Sequence, residues 1–234
     1  MDNNNVIYDE RQVGLNAFFN KIYALVGMGI LLSAAVAWIT ITFFLNNLIA
    51  LFSNSMTIWI LMIGMLVLMI PMNSAARRNS PAALPLYLLF AAVWGFVLSI
   101  TLLAFTQTAV TAAFISSAAV FFGMSAVGRI TKRDLSGMRK ALTGALIGLI
   151  VAMLLNVFIF HGGFMQLVIS VIGVLIFAAF TAYDNNRIKQ VYNQLNGQVG
   201  EGWAVAMAFS LYLDFINLFM FLLQIFGGGG ASRR

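Results

Sequence analysis

Seven long apolar runs constrain the fold of this chain more than any other feature. A membrane-spanning helix needs about 20 mostly apolar residues. Runs of this kind cover residues 21–45, 56–75, 83–105, 108–128, 141–160, 164–183 and 203–226. The chain is 62% hydrophobic and only 9% charged, whereas a soluble domain is about 25% charged. It cannot cover itself with a polar surface, so we predict an all-α integral membrane protein with a bundle of seven transmembrane helices.

The charges of the connecting segments predict how the chain crosses the membrane, because basic and neutral connections alternate. The basic ones contain Arg77 and Arg78; Arg129, Lys132, Arg133, Arg139 and Lys140; and Arg187 and Lys189. The segments 46–55, 106–108 and 161–163 contain no Lys or Arg. Because basic loops stay in the cytoplasm, we predict a multi-pass protein of the cell (inner) membrane with a cytoplasmic N-terminus and an external C-terminus. Arg233 and Arg234, at the external end, disagree with this topology, and a last run that only dips into the membrane is the alternative.

One transmembrane domain with two short tails is the predicted organisation. Residues 1–20 form a polar cytoplasmic tail, residues 21–226 the seven-helix domain, and residues 227–234 a flexible glycine-rich tail. No basic segment leads into a short apolar core at the N-terminus, so we expect no cleaved signal peptide. The chain has no cysteine and one histidine, which excludes thiolate chemistry and argues against a histidine-based metal site. Its net charge of +6 reflects the basic loops rather than a nucleic-acid partner.

An aspartate in the middle of the last apolar run is the strongest candidate for a functional group. Asp214 lies in the stretch LYLDFINLF, about 16 Å along a helix from the start of the run, where an unpaired charge is costly. At 3.6 residues per turn, one stripe of this helix holds the polar residues Ser210, Asp214, Asn217 and Gln224. A polar stripe avoids lipid, so we predict that the last helix is central. Hydrogen bonding between helices is the alternative use of the stripe, although it needs no ionisable group.

A second aspartate, Asp184 in TAYDNNRIK, ends the sixth run. The sixth and seventh runs are joined on the predicted cytoplasmic side, so Asp184 and Asp214 approach each other from the same end. Two carboxylates held close together cannot both ionise cheaply and share a proton, so such a pair can sense pH. A solvated acid at the membrane surface is the alternative interpretation of Asp184. Arg77 and Arg78 end the second run on the same side and could reach inward, although both also suit simple anchoring.

Three motifs resemble one known family. TAYD at 181–184 and LYLDFINLF at 211–219 resemble the Bax inhibitor-1 (transmembrane Bax inhibitor motif) family, and TKRDLSG at 131–137 resembles a loop of its bacterial members. The resemblance covers all seven runs and implies a bundle whose last helix is surrounded by the other six. It also implies a pH-sensitive calcium leak in which Asp184 and Asp214 form a hydrogen-bonded pair that Arg77 latches in the closed state. The same two aspartates would be weak, transient calcium ligands. Many members have Thr-Gln where this chain has Asn185 and Asn186, which keep hydrogen-bonding capacity.

Three other functions compete with the leak. An intramembrane aspartyl protease needs Gly-x-Gly-Asp at its second aspartate, whereas 211–213 contains no glycine, so we expect no enzyme. A retinal protein needs a lysine that 203–226 lacks. A regulator of a membrane protease or stress response, acting by protein–protein interaction without transport, stays open, with Arg129–Lys140 as a docking surface or a lipid anchor. The expected partners are calcium as the transported ion, the lipid bilayer and, for the alternative, a membrane protease. No cofactor and no nucleic acid are expected.

Overall fold

Helices make up nearly all of the described chain. The computed structural model describes the backbone of residues 3–228 and the side chains of 12–54 and 56–228. Within these residues, the α-helices are α1 (Asn3–Phe43), α2 (Leu45–Phe52), α3 (Ser55–Arg77), α4 (Ala83–Leu103), α5 (Gln107–Ile130), α6 (Met138–Leu155), α7 (Gly163–Gln194) and α8 (Glu201–Gly228), and no strand occurs. A π-helical turn, Asn156–Phe160, extends α6. The all-α prediction is confirmed. Arg233 and Arg234, with most of the predicted C-terminal tail, lie outside the described residues.

Seven of these helices are long and apolar enough to cross a membrane, as predicted: all except α2, with α6 counted together with its π-helical turn. The last of them, α8, differs from the others in its burial. In its most apolar stretch 72% of the residues are buried, against 11% to 33% in the other six. This is the burial of an interior helix, as the polar stripe of the last run predicted.

Two helices extend far beyond their apolar runs, whereas the others differ from theirs by a few residues. α1 begins at Asn3 rather than at residue 21, and α7 continues to Gln194 rather than ending at residue 183. Polar residues can continue a helix beyond the hydrocarbon because its backbone hydrogen bonds are made within the segment. The chain leaves α7 through Asn196 and Gly197, with φ of 50° and 78°, left-handed conformations that are common where helices end. The short α2 was not predicted, because eight residues are too few for a span.

The chain divides into two compact units, and the first comprises Met1–Ala104 with Val191–Tyr212. In this unit α4 packs against α1 and α3. The backbones of α1 and α4 approach closely at Gly95, where a Cβ atom would lie 2.8 Å from the Cα of Ser33. Asn79 follows α3 and accepts a hydrogen bond from the backbone N–H of Gly202 at 2.6 Å. That bond joins the end of α3 to the start of α8.

The second unit comprises Phe105–Gln190 with Leu213–Arg234 and contains both candidate aspartates. The helices α5 and α7 approach closely at Gly128, where a Cβ atom would lie 2.9 Å from the Cα of Ala182. The ring of Phe121 on α5 lies edge-to-face against Phe215 of α8, with centroids 5.6 Å apart. These two contacts bring α7 and the second half of α8 against α5, which sets the surroundings of the two carboxyl groups.

Candidate functional site

Asp214 is buried at mid-length in α8. It lies about 20 Å along the helix from Glu201, the first residue of α8, and its exposed fraction is 5%. Its Oδ2 atom is buried and accepts no hydrogen bond from any described residue. Most buried polar atoms in proteins have a hydrogen-bond partner, and each exception needs an explanation. An ionisable group kept in this setting is a candidate for function on physical grounds.

Asp184 is the neighbour of Asp214 in the second unit. It lies in α7, its exposed fraction is also 5%, and its carboxyl group interacts electrostatically with that of Asp214. The two side chains come from adjacent helices in the chain, joined by residues 195–200. The structure therefore brings the two predicted carboxyl groups together, while the roles assigned to them stay predictions.

The two asparagines after Asp184 attach α7 to its surroundings. Asn185 is fully buried, and its Nδ2 donates to Ser125 Oγ at 3.0 Å and to the carbonyl of Thr181 at 2.8 Å. The exposed fraction of Asn186 is 1%. Its Nδ2 faces three backbone carbonyls at the end of α5 and in the loop that follows, those of Gly128, Thr131 and Arg133, at 3.3 to 3.4 Å. These bonds fix the stretch of α7 that carries Asp184 against α5.

The loop between α5 and α6 is docked on α7. Asn186 Oδ1 accepts from the backbone N–H of Leu135 at 3.3 Å, and Lys189 donates to the carbonyl of Thr131 at 2.8 Å. Asp134, at the exposed surface of the loop, accepts from the backbone N–H of Ser136 at 2.8 Å. This hydrogen bond holds the pKa of Asp134 below its ordinary value of 3.8. The loop that carries TKRDLSG is therefore attached to α7 at residues two and five positions after Asp184.

The remaining members of the polar stripe have different surroundings. Ser210 is half-buried in the first unit. Asn217 donates within its own helix, to the carbonyl of Leu213 at 2.7 Å. Gln224 accepts from Gln166 and from Ser170 on α7. The alternative interpretation of the stripe was hydrogen bonding between helices. Gln224 makes such bonds, from α8 to α7.

Comparison with known families assigns the chain. The model of the family described as inhibitor of apoptosis-promoting Bax1 matches residues 15–231, which include both aspartates and nearly the whole chain. The chain belongs to the Bax inhibitor-1 family. This membership confirms the resemblance drawn from the TAYD, LYLDFINLF and TKRDLSG stretches.

Relatives in the Bax inhibitor-1 family match this chain along almost its whole length. The protein YrjE of Lactococcus lactis subsp. lactis (strain IL1403) is 53% identical over 234 residues, 100% of both chains. A membrane protein of Streptococcus pyogenes serotype M1 is 56% identical over 96% of this chain and 98% of its own. Inner membrane protein YbhL of Escherichia coli (strain K12) is 34% identical over 92% of this chain and 93% of its own. With its seven apolar helices, the chain is a multi-pass membrane protein.

Arg77, which the Bax inhibitor-1 resemblance makes the latch, is the last residue of α3. Its side chain is exposed, and it belongs to the first unit, whereas both aspartates belong to the second. The latch contact therefore stays a prediction. Arg78, the alternative, follows α3 as its C-terminal cap.

A cluster of buried hydroxyl groups in the first unit was missed by the sequence analysis. Ser33 of α1 has an exposed fraction of 1%, and its Oγ lies 2.7 Å from the hydroxyl of Tyr212 and 2.7 Å from the carbonyl of Ala91. Tyr87 donates to the carbonyl of Leu25 at 2.9 Å. Tyr212 lies in LYLDFINLF, two residues before Asp214. The tyrosine hydroxyl in this apolar motif could have indicated a buried hydrogen bond.

A calcium ion bound by Asp184 and Asp214 would need further oxygen ligands from groups other than carboxylates. Among the described residues there is no group of three or more His, Cys, Asp or Glu side chains that could hold a metal ion. Calcium takes six to eight oxygen ligands in proteins.

Proposed function

We propose that this Bax inhibitor-1 protein is a pH-sensitive calcium leak of the membrane, gated by protonation of Asp184 and Asp214. One observation carries the proposal: a buried carboxyl oxygen of Asp214, without a hydrogen-bond partner among the described residues, belongs to a group that interacts electrostatically with a second buried carboxyl group. Neither packing nor helix association requires an ionisable pair in an interior helix. A pair whose charge can change provides a switch.

In this proposal, binding of a proton to the pair of Asp184 and Asp214 opens the leak. Two neighbouring carboxylates hold a proton between them, and the charge of the pair changes as that proton is bound or lost. A divalent cation competes with the proton for the same oxygens. In the closed state the negative pair attracts Arg77. Protonation weakens this attraction, α3 is released, and the leak rises as the pH falls.

Calcium flux into proteoliposomes tests the proposal. The purified protein is reconstituted with a calcium-sensitive dye inside the vesicles, and flux is measured between about pH 5 and about pH 8. We expect wild-type flux to rise toward acidic pH. Asp214→Asn and Asp184→Asn resemble the protonated pair, so each should raise flux at neutral pH and remove most of the pH response. Arg77→Gln should also raise flux at neutral pH, because it removes the latch.

Asp134→Asn is the matched control for the two aspartate variants. It makes the same chemical change at an exposed loop residue and keeps the acceptor for the Ser136 N–H. Because the pKa of Asp134 is lowered below 3.8, its carboxylate and the loop contacts it stabilises persist above that value. They are lost only as the pH falls through the lowered pKa, below the assay range. We therefore expect flux like that of wild type.

Two results would contradict the proposal in different ways. If wild-type protein passes no calcium at any pH, the leak is wrong, and regulation by protein–protein interaction without transport becomes the better function. If wild-type flux depends on pH and both aspartate variants keep that dependence, the leak stands, but the aspartate pair is not its sensor.

A further inference from the structure

A chain of side-chain amides links the C-terminal part of α8 to α7 and to the π-helical turn after α6, away from the aspartates. Gln224 Oε1 accepts hydrogen bonds from Gln166 Nε2 and, at 2.9 Å, from Ser170 Oγ, both on α7. Ser170 is fully buried. All three residues belong to the second unit. These bonds tie the last turns of α8 to the first turns of α7.

The amide chain continues to the π-helical turn after α6. Asn156, the first residue of that turn, donates from Nδ2 to Gln166 Oε1 at 3.0 Å. Its Oδ1 accepts from the backbone N–H of Gly162 at 3.3 Å, and its backbone carbonyl accepts from the backbone N–H of His161 at 2.8 Å. Turns of this kind are rare and are frequent at functional sites. We call Asn156, Gln166 and Gln224 the amide chain.

Gln224 of the amide chain and Asp214 of the aspartate pair lie at two levels of the polar stripe of α8. Gln224 lies about 15 Å further along α8 than Asp214. Between them, the ring of Phe221 fills the notch at Gly173 of α7, where an added Cβ atom would lie 2.7 Å from the ring. Phe221 also faces Phe177, with ring centroids 5.9 Å apart. Polar groups thus occur at both levels, with aromatic packing between them.

The chemistry of the amide chain suits a passing cation. Amide oxygens are among the ligands that calcium accepts, and in this structure those of Gln166 and Gln224 are occupied by hydrogen bonds from neighbouring side chains. Separation of α7 from α8 would free Gln224 Oε1 from Gln166 and Ser170, while the bond from Asn156 to Gln166 Oε1 would remain. Interhelical amide bonds in a membrane are individually weak, so opening and closing can both be accessible.

We infer that the amide chain is a second closure of the ion pathway, in series with the aspartate pair, and that it opens when α7 separates from α8. This inference rests on the proposed leak. Asn156, Gln166 and Gln224 carry no titratable proton, so this closure responds to helix separation rather than to pH. It limits the flux that remains when the aspartate pair has been protonated.

Gln224→Leu in the same flux assay tests the inference. The variant keeps the size of the side chain but removes the acceptor. Because the closures act in series, flux at neutral pH should stay low, while flux at acidic pH should rise by about fivefold, with an unchanged pH midpoint. Gln166→Leu should act similarly, and the double variant should exceed neither single variant by much, since both break the same bond. Retention of a second, entrapped dye that is too large for an ion pathway shows that the vesicles stay intact.

Gln107→Leu is the control. It makes the same change at an exposed residue that begins α5, and we expect wild-type flux. Gln224→Asn, which is too short for the bond to Gln166 but remains polar, replaces Gln224→Leu if that variant does not fold. Wild-type acidic flux in the Gln224 and Gln166 variants, with lower thermal stability, would overturn the inference and make the amide chain an interhelical contact only. An absence of flux in the wild-type protein would instead contradict the proposed leak.

Discussion

The side chain of Asn186 supplies hydrogen bonds that no apolar residue of its size could make. It is 1% exposed and contacts three carbonyls that the end of α5 and the following loop present. Its own oxygen accepts from Leu135 and from Gln190. Backbone groups left unpaired in such a place cost free energy, so this one side chain fixes the path of the loop beside Asp184.

Asn186→Ala should therefore release the loop. We expect a loss of about 1–3 kcal/mol in the free energy of unfolding, because three backbone carbonyls, of which that of Gly128 is buried, lose this donor. Trypsin should cleave faster at Lys132 and Arg133, which lie in the released loop. Unfolding in detergent and the rate of cleavage measure the two effects.

Asn73→Ala controls for the loss of the amide itself, because the exposed Asn73 donates within its own helix, α3, to the carbonyl of Met69 at 2.8 Å. Its variant should keep wild-type stability and cleavage. Equal effects of the two substitutions would show that the loop does not depend on Asn186.

At the scale of helices, small residues decide how closely two backbones approach. The contact between α1 and α4 passes over Gly95, and that between α5 and α7 passes over Gly128. At both positions the nearest atoms are backbone atoms of the facing helix, which cannot move aside as the end of a side chain can. Small residues at helix interfaces are typical of membrane proteins, where close packing replaces the hydrophobic effect as the source of association.

Gly95→Ala and Gly128→Ala should each force two helices apart. Overpacking of a filled interface costs about 1–3 kcal/mol, so we expect a lower midpoint of thermal unfolding in detergent for both variants. Gly148→Ala in α6 is the matched control, because a Cβ atom there meets nothing within 4 Å. It should be neutral or slightly stabilising, since alanine favours helix over glycine. Equal unfolding midpoints for all three variants would contradict the close approach.

At the scale of the whole molecule, the predicted topology makes each connection accessible from one side only. The chain contains no cysteine, so a single introduced cysteine reports its own position. Ser53, between α2 and α3, and Lys132, between α5 and α6, are both exposed. The alternation of basic and neutral connections predicts that they lie on opposite sides of the membrane.

Ser53→Cys should react with a membrane-impermeant maleimide in intact cells, whereas Lys132→Cys should react only after permeabilisation. The cysteine-free wild type measures background labelling. The reverse pattern would invert the predicted orientation, with the N-terminus outside. Labelling of both variants in intact cells would show that the two connections share a side, and the seven-span topology would then be wrong.

Sequence patterns predicted the features that depend on local composition and period. Runs of about 20 apolar residues are visible in the chain itself because a bilayer has a fixed thickness, so the seven spans were found. The polar stripe around Asp214 follows from helical period alone, and it predicted that α8 is interior. The ends of α1 and α7 were missed because a helix need not stop where its apolar residues do.

By itself, then, the sequence determined the membrane class, the seven spans, the interior position of α8 and the candidacy of Asp214 and Asp184. Only the tertiary structure decided the partners of Asn186, the chain from Gln224 to Asn156, and the hydroxyl contact between Ser33 and Tyr212. The physical reason is the separation along the chain of the residues that interact. Hydrophobic period is a property of neighbouring residues, whereas a hydrogen bond requires two atoms, often more than 50 residues apart in the chain, to come within about 3 Å of each other.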